Sequence, residues 1–150
     1  MTRQNPTGTA PNADQTPTAD AFRWPSPHVQ PETAPYWQAS QHVLPYCDRC
    51  DRWFWAGQRI CPACAEPLAL RPTSGQGTVE AVTVVHRTHD RRWRDAVPYA
   101  VAAVRLKEGP RLIANVVGSP PEKIRIGTPV RVVLCATDDP HIRVPVFETT

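Results

Sequence analysis

The chain has 150 residues, 18 of them proline, and carries 17 Lys and Arg against 14 Asp and Glu, a net charge of +3. That length gives room for one domain, or two small ones, with a modest hydrophobic core. The small positive excess falls short of the strongly basic surface of a dedicated nucleic-acid binder. No continuous apolar run marks a secretory signal or a membrane span, so we expect a cytoplasmic protein.

Residues 1–30 are predicted to form a disordered tail. The first 35 residues hold seven of the prolines and few Leu, Ile or Val side chains. Such a composition buries too little apolar surface to offset the entropy lost on ordering.

The next segment, residues 31–43, is predicted to be a docking helix. Thr33 is placed to cap it, Pro35 suits its first turn, and Tyr36 and Trp37 fall near one face. An isolated helix of this length is marginal in water. We therefore expect the two aromatic side chains to dock, either on this protein's own ribbon or on a partner subunit.

Residues 44–70 contain two Cys-x-x-Cys pairs separated by ten residues: Cys47, Cys50, Cys61 and Cys64. An odd total of five cysteines, with no export signal before them, favours a metal site over disulfides. Four sulfur ligands suit a tetrahedral structural zinc and leave no position open for substrate. Iron in a rubredoxin-like site is the less favoured alternative. Asp51 and Ala65 stand where such knuckles often carry glycine.

Three aromatic residues, Trp53, Phe54 and Trp55, lie between the cysteine pairs and are interpreted either as the ribbon's packing layer or as a surface that docks a partner. The fifth cysteine, Cys135, stands alone in an apolar run and is predicted to be a buried small hydrophobe. Residues 71–76 are predicted to be a linker.

Residues 77–149 are predicted to form a five-stranded OB-fold barrel. Apolar and alternating runs separated by Gly and Pro turns predict strands over 78–86, 98–106, 111–117, 129–136 and 141–147. Five short strands without a long helix favour a small closed or partly open barrel. The predicted fold class is therefore mainly β, with an N-terminal helix, a rubredoxin-like zinc ribbon and an OB-fold barrel.

The connection between the first two barrel strands is the most basic segment, and it is a candidate site for a phosphate-bearing ligand or partner. Its arginines and tryptophan suit gripping phosphates and stacking a purine ring; the alternative is a solvated loop partly balanced by Asp90 and Asp95. The candidate ligand residues are Arg87, Arg91, Arg92, Trp93 and Arg94. No catalytic set emerges from the five histidines, and Asp138-Asp139 is interpreted as a turn rather than a carboxylate dyad.

Taken together, residues 31–149 resemble the zinc-ribbon/OB-fold proteins associated with acyl-CoA metabolism, long catalogued as a domain of unknown function. No single element apart from the ribbon is specific, but the order and spacing of the elements are. The resemblance is carried by Tyr36-Trp37, the two cysteine pairs, Gly77-Thr78-Val79, Pro98-Tyr99, Gly127-Thr128-Pro129-Val130 and Val144-Pro145-Val146-Phe147.

The resemblance implies a non-catalytic accessory subunit, without enzyme activity of its own, that binds a thiolase-superfamily enzyme or a hydratase. Such subunits help to hold or pass acyl-CoA during carbon–carbon bond cleavage, including steroid and aromatic degradation. By that analogy the N-terminal helix and the ribbon would dock the partner and the barrel would face the CoA. Two other functions stay open at this point: a nucleic-acid-binding module and electron transfer through an iron-loaded ribbon.

Overall fold

The computed structural model describes residues 18–20 and 22–150. One helical turn, eight strands and two 3₁₀ helices make up its regular structure. In chain order these are α1 (Ala34–Trp37), β1 (Val43–Cys47), β2 (Arg52–Trp53), β3 (Ala69–Pro72), β4 (Gln76–Val85), a 3₁₀ helix (Arg91–Ala96), β5 (Tyr99–Leu106), β6 (Arg111–Val117), a 3₁₀ helix (Pro121–Lys123), β7 (Pro129–Ala136) and β8 (Arg143–Thr149). Among the described residues no helix is long and apolar enough to cross a membrane.

Strands β4 to β8 form a closed barrel in the order β4-β5-β6-β8-β7. Antiparallel pairing joins β4 to β5, β5 to β6, β7 to β8, and β7 back to β4. The one parallel pair sets Val116 of β6 opposite Phe147 of β8 and closes the ring. This is the five-stranded OB-fold arrangement. The predicted fold class is confirmed, and each predicted strand end lies within two residues of the observed one.

Alternation along the strands fills the barrel interior. In β5, Ala100, Ala102, Val104 and Leu106 are all buried, and Phe147 from β8 is fully buried among them. The backbone of β4 passes close to these core side chains at Gly77, where a Cβ atom would lie only 2.6 Å from a methyl carbon of Val104. A glycine is therefore needed where β4 pairs with both β5 and β7.

The ribbon is a three-stranded antiparallel sheet of order β2-β1-β3. It shares a core with the barrel, because Leu44 of β1 is fully buried in the same hydrophobic cluster as Val79 and Phe147. The predicted linker 71–76 is therefore too long: Arg71 and Pro72 pair with β1, and Gln76 already belongs to β4.

The predicted helix over residues 31–43 is wrong in length. Only Ala34–Trp37 is helical, and the Thr33 hydroxyl donates to the carbonyl of Gln30 instead of capping the turn. A single uncapped turn has little intrinsic stability. What fixes it is Tyr36, which packs against the shared core and whose pKa burial raises to about 12.

The predicted disordered tail is also too long. Residues 1–17 and 21 lie outside the described residues, but the chain from Phe22 to Gln30, here called the N-terminal arm, lies on the barrel. Trp24 is only 5% exposed and belongs to a second hydrophobic cluster with Val117, Cys135 and Val146. Phe22 packs on the same cluster, so two aromatic side chains supply the apolar surface that anchors this proline-rich segment.

Candidate metal centre and ligand surfaces

Two hairpin turns bring the four ribbon cysteines together. Their sulfur atoms all lie within 4.8 Å of one another. The Sγ atoms of Cys47 and Cys64 are 3.5 Å apart, and those of Cys50 and Cys61 are 3.8 Å apart. Four sulfurs placed about 2.3 Å from one tetrahedral ion would be about 3.8 Å apart. The cluster therefore fits a single metal ion held entirely by protein sulfur.

Each cysteine pair is followed by a residue in the left-handed region of backbone space. Asp51 has φ 51° and Ala65 has φ 61°, the two positions where the sequence lacks the expected glycine. The second turn is closed by backbone bonds from Ala65 N–H to the carbonyl of Cys61 and from Cys61 N–H to that of Glu66. The knuckles thus keep a left-handed backbone turn at both positions, although the Cβ atom of alanine in particular disfavours that conformation.

Ala65→Gly is expected to stabilise the protein. The left-handed conformation costs an L-residue about 1–2 kcal/mol, and the greater freedom of glycine in the unfolded chain removes part of that gain. The net increase in unfolding free energy should be about 0.5–1 kcal/mol, measured by denaturant unfolding of the metal-loaded protein. Ala63→Gly, in the same knuckle but without a positive φ, is the control and should lower stability. Equal effects from both variants would contradict the argument.

The five aromatic residues predicted to dock a partner differ in exposure. Tyr36 and Trp53 pack against the shared core. Trp37 makes an edge contact with Tyr36, with ring centroids 5.0 Å apart. Phe54 is half-buried, whereas Trp55 is 61% exposed and its ring lies over Gly57, where a Cβ atom would come within 2.4 Å of it. Of these five, Trp55 is the side chain that the ribbon presents to solvent.

The basic connection between β4 and β5 folds into the 3₁₀ helix Arg91–Ala96, which Asp90 caps by accepting from the Arg92 backbone N–H. Arg92 also pairs with the Asp90 carboxylate at 2.7 Å, and this contact lowers the pKa of Asp90. Trp93 turns inward onto Tyr99, with ring centroids 5.0 Å apart. The remaining three arginines of the predicted set stay exposed without an ion pair among the described residues: Arg87, Arg91 and Arg94.

The N-terminal arm covers Trp93 and holds the neighbouring β7–β8 connection. Phe22 stacks on Trp93 with centroids 5.1 Å apart and a 32° tilt, and Trp24 makes an edge contact with the same ring at 5.9 Å. Ser26 donates its backbone N–H to Asp138 at 2.8 Å, and its hydroxyl lies 2.7 Å from that of Thr137. The arm therefore spans the two loops that flank the ligand face of an OB-fold.

Sequence reasoning missed the arm. The signal available was the pair Phe22 and Trp24, two large aromatic side chains inside a segment otherwise poor in apolar residues. Which surface they would cover depends on loops more than 60 residues further along the chain.

The other candidate residues are structural. Cys135 is buried as predicted, and burial raises the pKa of its thiol to about 11. Asp138 accepts hydrogen bonds from Ser26, and these bonds lower the pKa of the Asp138 carboxyl group. Asp139 accepts a hydrogen bond from the His141 backbone N–H. The two carboxylates therefore fix a turn, and among the described residues we find no nucleophile–base pair.

His42 is a buried histidine that sequence reasoning left aside. It is 8% exposed, its Nδ1 lies 2.7 Å from the Thr73 hydroxyl, and its Nε2 has no partner among the described residues. Burial lowers its pKa to about 4, against a smaller opposing effect of Glu108. His42 therefore stays neutral where ribbon and barrel meet.

Acid should destabilise this junction. Below about pH 6.5 His42 is protonated in the unfolded chain, whereas in the folded protein it stays neutral until the pH falls to about 4. The free energy of unfolding therefore carries no cost from neutral His42 at pH 7 and decreases as the pH falls, by about 2 kcal/mol at pH 5. In denaturant unfolding across pH 5–7, His42→Gln should remove this slope, whereas His141→Gln, at an exposed site, should keep it. Parallel curves for wild type and His42→Gln would exclude the effect.

Comparison with known proteins places the barrel in a defined family. Residues 70–134 match the model of the C-terminal OB-fold domain of ChsH2. The whole fold is similar to a chain of the solved Ltp2-ChsH2(DUF35) aldolase, with a TM-score of 0.73 and 30% identity over 83% of this chain and 98% of that one. The chain belongs to the DUF35 family.

Two curated relatives support the assignment. A DUF35 domain-containing scaffold protein of Methanothermobacter thermautotrophicus is 34% identical over 58% of this chain and 66% of its own length. A probable enoyl-CoA hydratase alpha subunit of Thermomonospora curvata is 33% identical over 82% of this chain but only 39% of its own length. The chain thus spans less than two thirds of the length of either curated relative.

Proposed function

We propose that this protein is a non-catalytic accessory subunit that binds a thiolase-like enzyme, a thiolase or a retro-aldolase, or else a hydratase. In that complex it helps to hold or channel acyl-CoA during carbon–carbon bond cleavage in lipid, steroid or aromatic degradation. The observation that carries the proposal is the similarity to a chain of the solved Ltp2-ChsH2(DUF35) aldolase. This protein covers 98% of that chain. The hydratase-subunit relative points in the same direction.

The site chemistry is consistent with an accessory role. The four-sulfur cluster has no ligand position left for substrate. Outside the cysteine cluster, the described residues Cys135 and His42 are buried ionisable groups, and burial displaces their pKa values away from neutrality. Because neither pKa lies near 7, neither group is suited to general acid–base catalysis at neutral pH, and we assign the chemistry to the partner enzyme.

The cofactor we propose is one structural zinc ion on Cys47, Cys50, Cys61 and Cys64. When bound there, zinc supplies a fixed tetrahedral crosslink and no reaction chemistry. Metal analysis of protein purified without added metal should give one zinc per chain in a colourless sample. A red sample with stoichiometric iron would overturn zinc and favour electron transfer.

We assign partner docking to the ribbon side of the molecule. The exposed large hydrophobic side chains of the ribbon are Trp55, Ile60 and Leu70, which are 61%, 55% and 40% exposed. Exposed tryptophan is the side chain most enriched among residues that dominate binding energy at interfaces. Tyr36 and Trp53, which pack inward, would support this surface from behind, and Trp37 and Phe54 would flank it.

Co-expression with the thiolase-like or hydratase-like protein encoded beside this chain tests the proposal. We expect a complex that survives size-exclusion chromatography, and an enzyme whose activity or stability depends on this subunit. The isolated chain should show no turnover of acyl-CoA. A monomer that associates with no such enzyme and binds no acyl-CoA would refute the proposal.

The alternative, a nucleic-acid-binding module, is less well supported by the structure. Three of the four arginines on the barrel strands are ion-paired: Glu80 pairs with both Arg105 and Arg111, and Glu148 pairs with Arg131. The arm also lies over the two connections that flank the face OB-folds use for oligonucleotides. A gel-shift assay on single-stranded DNA and RNA at physiological salt is expected to show no binding.

A further inference from the structure

The Phe22 ring lies against the Trp93 ring in a tilted contact. The two ring planes make an angle of 32° with centroids 5.1 Å apart, and Trp93 also contacts Tyr99, with centroids 5.0 Å apart. OB-folds use exposed aromatic side chains of this kind to stack flat bases. Phe22 therefore occupies, from within the same chain, the place that a planar ligand would take.

Arginine residues lie close along the chain to Trp93, and the position that the Phe22 ring occupies on Trp93 is here called the slot. Arg91 and Arg94 belong to the same 3₁₀ helix as Trp93, and Arg87 precedes it on the same connection. All three are exposed, and none forms an ion pair within the described part of the chain, whereas Arg92 is held by Asp90. A stacked ring with adjacent guanidinium groups matches a purine that carries phosphate groups.

The arm that fills the slot is anchored at three residues. They are Phe22 on Trp93, Trp24, which is buried in the second hydrophobic cluster and bridged to Thr137, and Ser26, which is hydrogen-bonded to the β7–β8 connection. Phe22 and Ser26 are only half-buried, and Arg23 between the two rings is exposed. A segment fixed at so few points opens more readily than the barrel strands beneath it.

We infer that the N-terminal arm is a strap over a purine-nucleotide site, and that Phe22 mimics the adenine ring of the ligand. The ligand class is an adenosine phosphate such as the nucleotide end of coenzyme A, with its ring on Trp93 and its phosphates on Arg87, Arg91 and Arg94. Ligand and strap compete for one slot, so binding shifts the arm toward its released state. The identity of the ligand rests on the proposed acyl-CoA role; the competition rests on the geometry alone.

The test measures adenosine 3′,5′-bisphosphate binding to the full metal-loaded chain by isothermal titration calorimetry. Phe22→Ala empties the slot and should bind at least tenfold more tightly than wild type. Ser26→Ala loosens the arm without touching the slot and should act in the same direction, more weakly. Adding Trp93→Ala to Phe22→Ala should abolish binding, and Ile126→Ala, at an exposed site just before β7, should leave the wild-type affinity unchanged.

Limited trypsin digestion supplies a second readout, because Arg23 lies in the strap. The bisphosphate should increase the rate of cleavage after Arg23 several-fold in the wild-type chain. Failure of Phe22→Ala and Ser26→Ala to bind more tightly than wild type, or an unchanged cleavage rate, would overturn the inference. Tighter binding of single-stranded oligoadenylate than of the bisphosphate would also overturn it. Complex formation with the partner enzyme is measured separately, so the proposed function can fail or hold independently.

Discussion

Cys61→Ser is expected to remove the metal and unfold the ribbon while the barrel stays folded. Cys61 is 1% exposed and lies 3.8 Å from Cys50 across the cluster. A structural zinc site contributes on the order of 10 kcal/mol to folding a small ribbon, and three sulfurs hold the ion far less tightly. Nine of the ten buried members of the main core lie between residues 79 and 147, so the barrel keeps its interior.

The measurements for this variant are metal content, tryptophan fluorescence and circular dichroism. We expect near-complete loss of zinc, a red-shifted emission from Trp53 as it leaves the shared core, and retained barrel strand signal. Cys135→Ala is the matched control, because it removes the one cysteine outside the cluster and should keep one zinc per chain. Stoichiometric zinc in Cys61→Ser would show that this cysteine is not a ligand.

Trp55→Ser is expected to weaken the complex with the partner enzyme about 100-fold, equal to about 2.7 kcal/mol. With 61% of its surface exposed, Trp55 contributes little to the fold, and its loss should change the unfolding free energy by less than about 1 kcal/mol. A large exposed aromatic side chain that stabilises its own protein so little is suited to burial in an interface. Surface plasmon resonance against the immobilised partner gives the dissociation constant directly.

Ile113→Ser provides the control for docking. Ile113 is 76% exposed on β6 of the barrel, and its replacement removes exposed apolar surface without touching the ribbon. We expect its complex to match that of wild type. If Ile113→Ser weakened binding and Trp55→Ser did not, the barrel would be the docking surface and the ribbon assignment would be wrong.

The local patterns of this sequence were enough to predict the main elements. Alternation such as that of Tyr99–Leu106, closed by glycine and proline turns, predicted the five strands because side-chain direction in a strand depends only on position along it. The spacing of the four cysteines predicted their proximity because each knuckle is a local turn. The docking roles of Tyr36, Trp37, Trp53, Phe54 and Trp55, and the ligand role of the arginine loop, stay predictions.

By itself, then, the sequence determined the class of fold and the four-sulfur cluster. Only the tertiary structure decided that Trp24 anchors an arm on the barrel, that Trp93 turns inward onto Tyr99, and that His42 is buried. Each of these depends on surfaces from distant parts of the chain, such as the contact of Ser26 with Asp138. Burial of a side chain follows from what packs over it, and neither composition nor spacing encodes that.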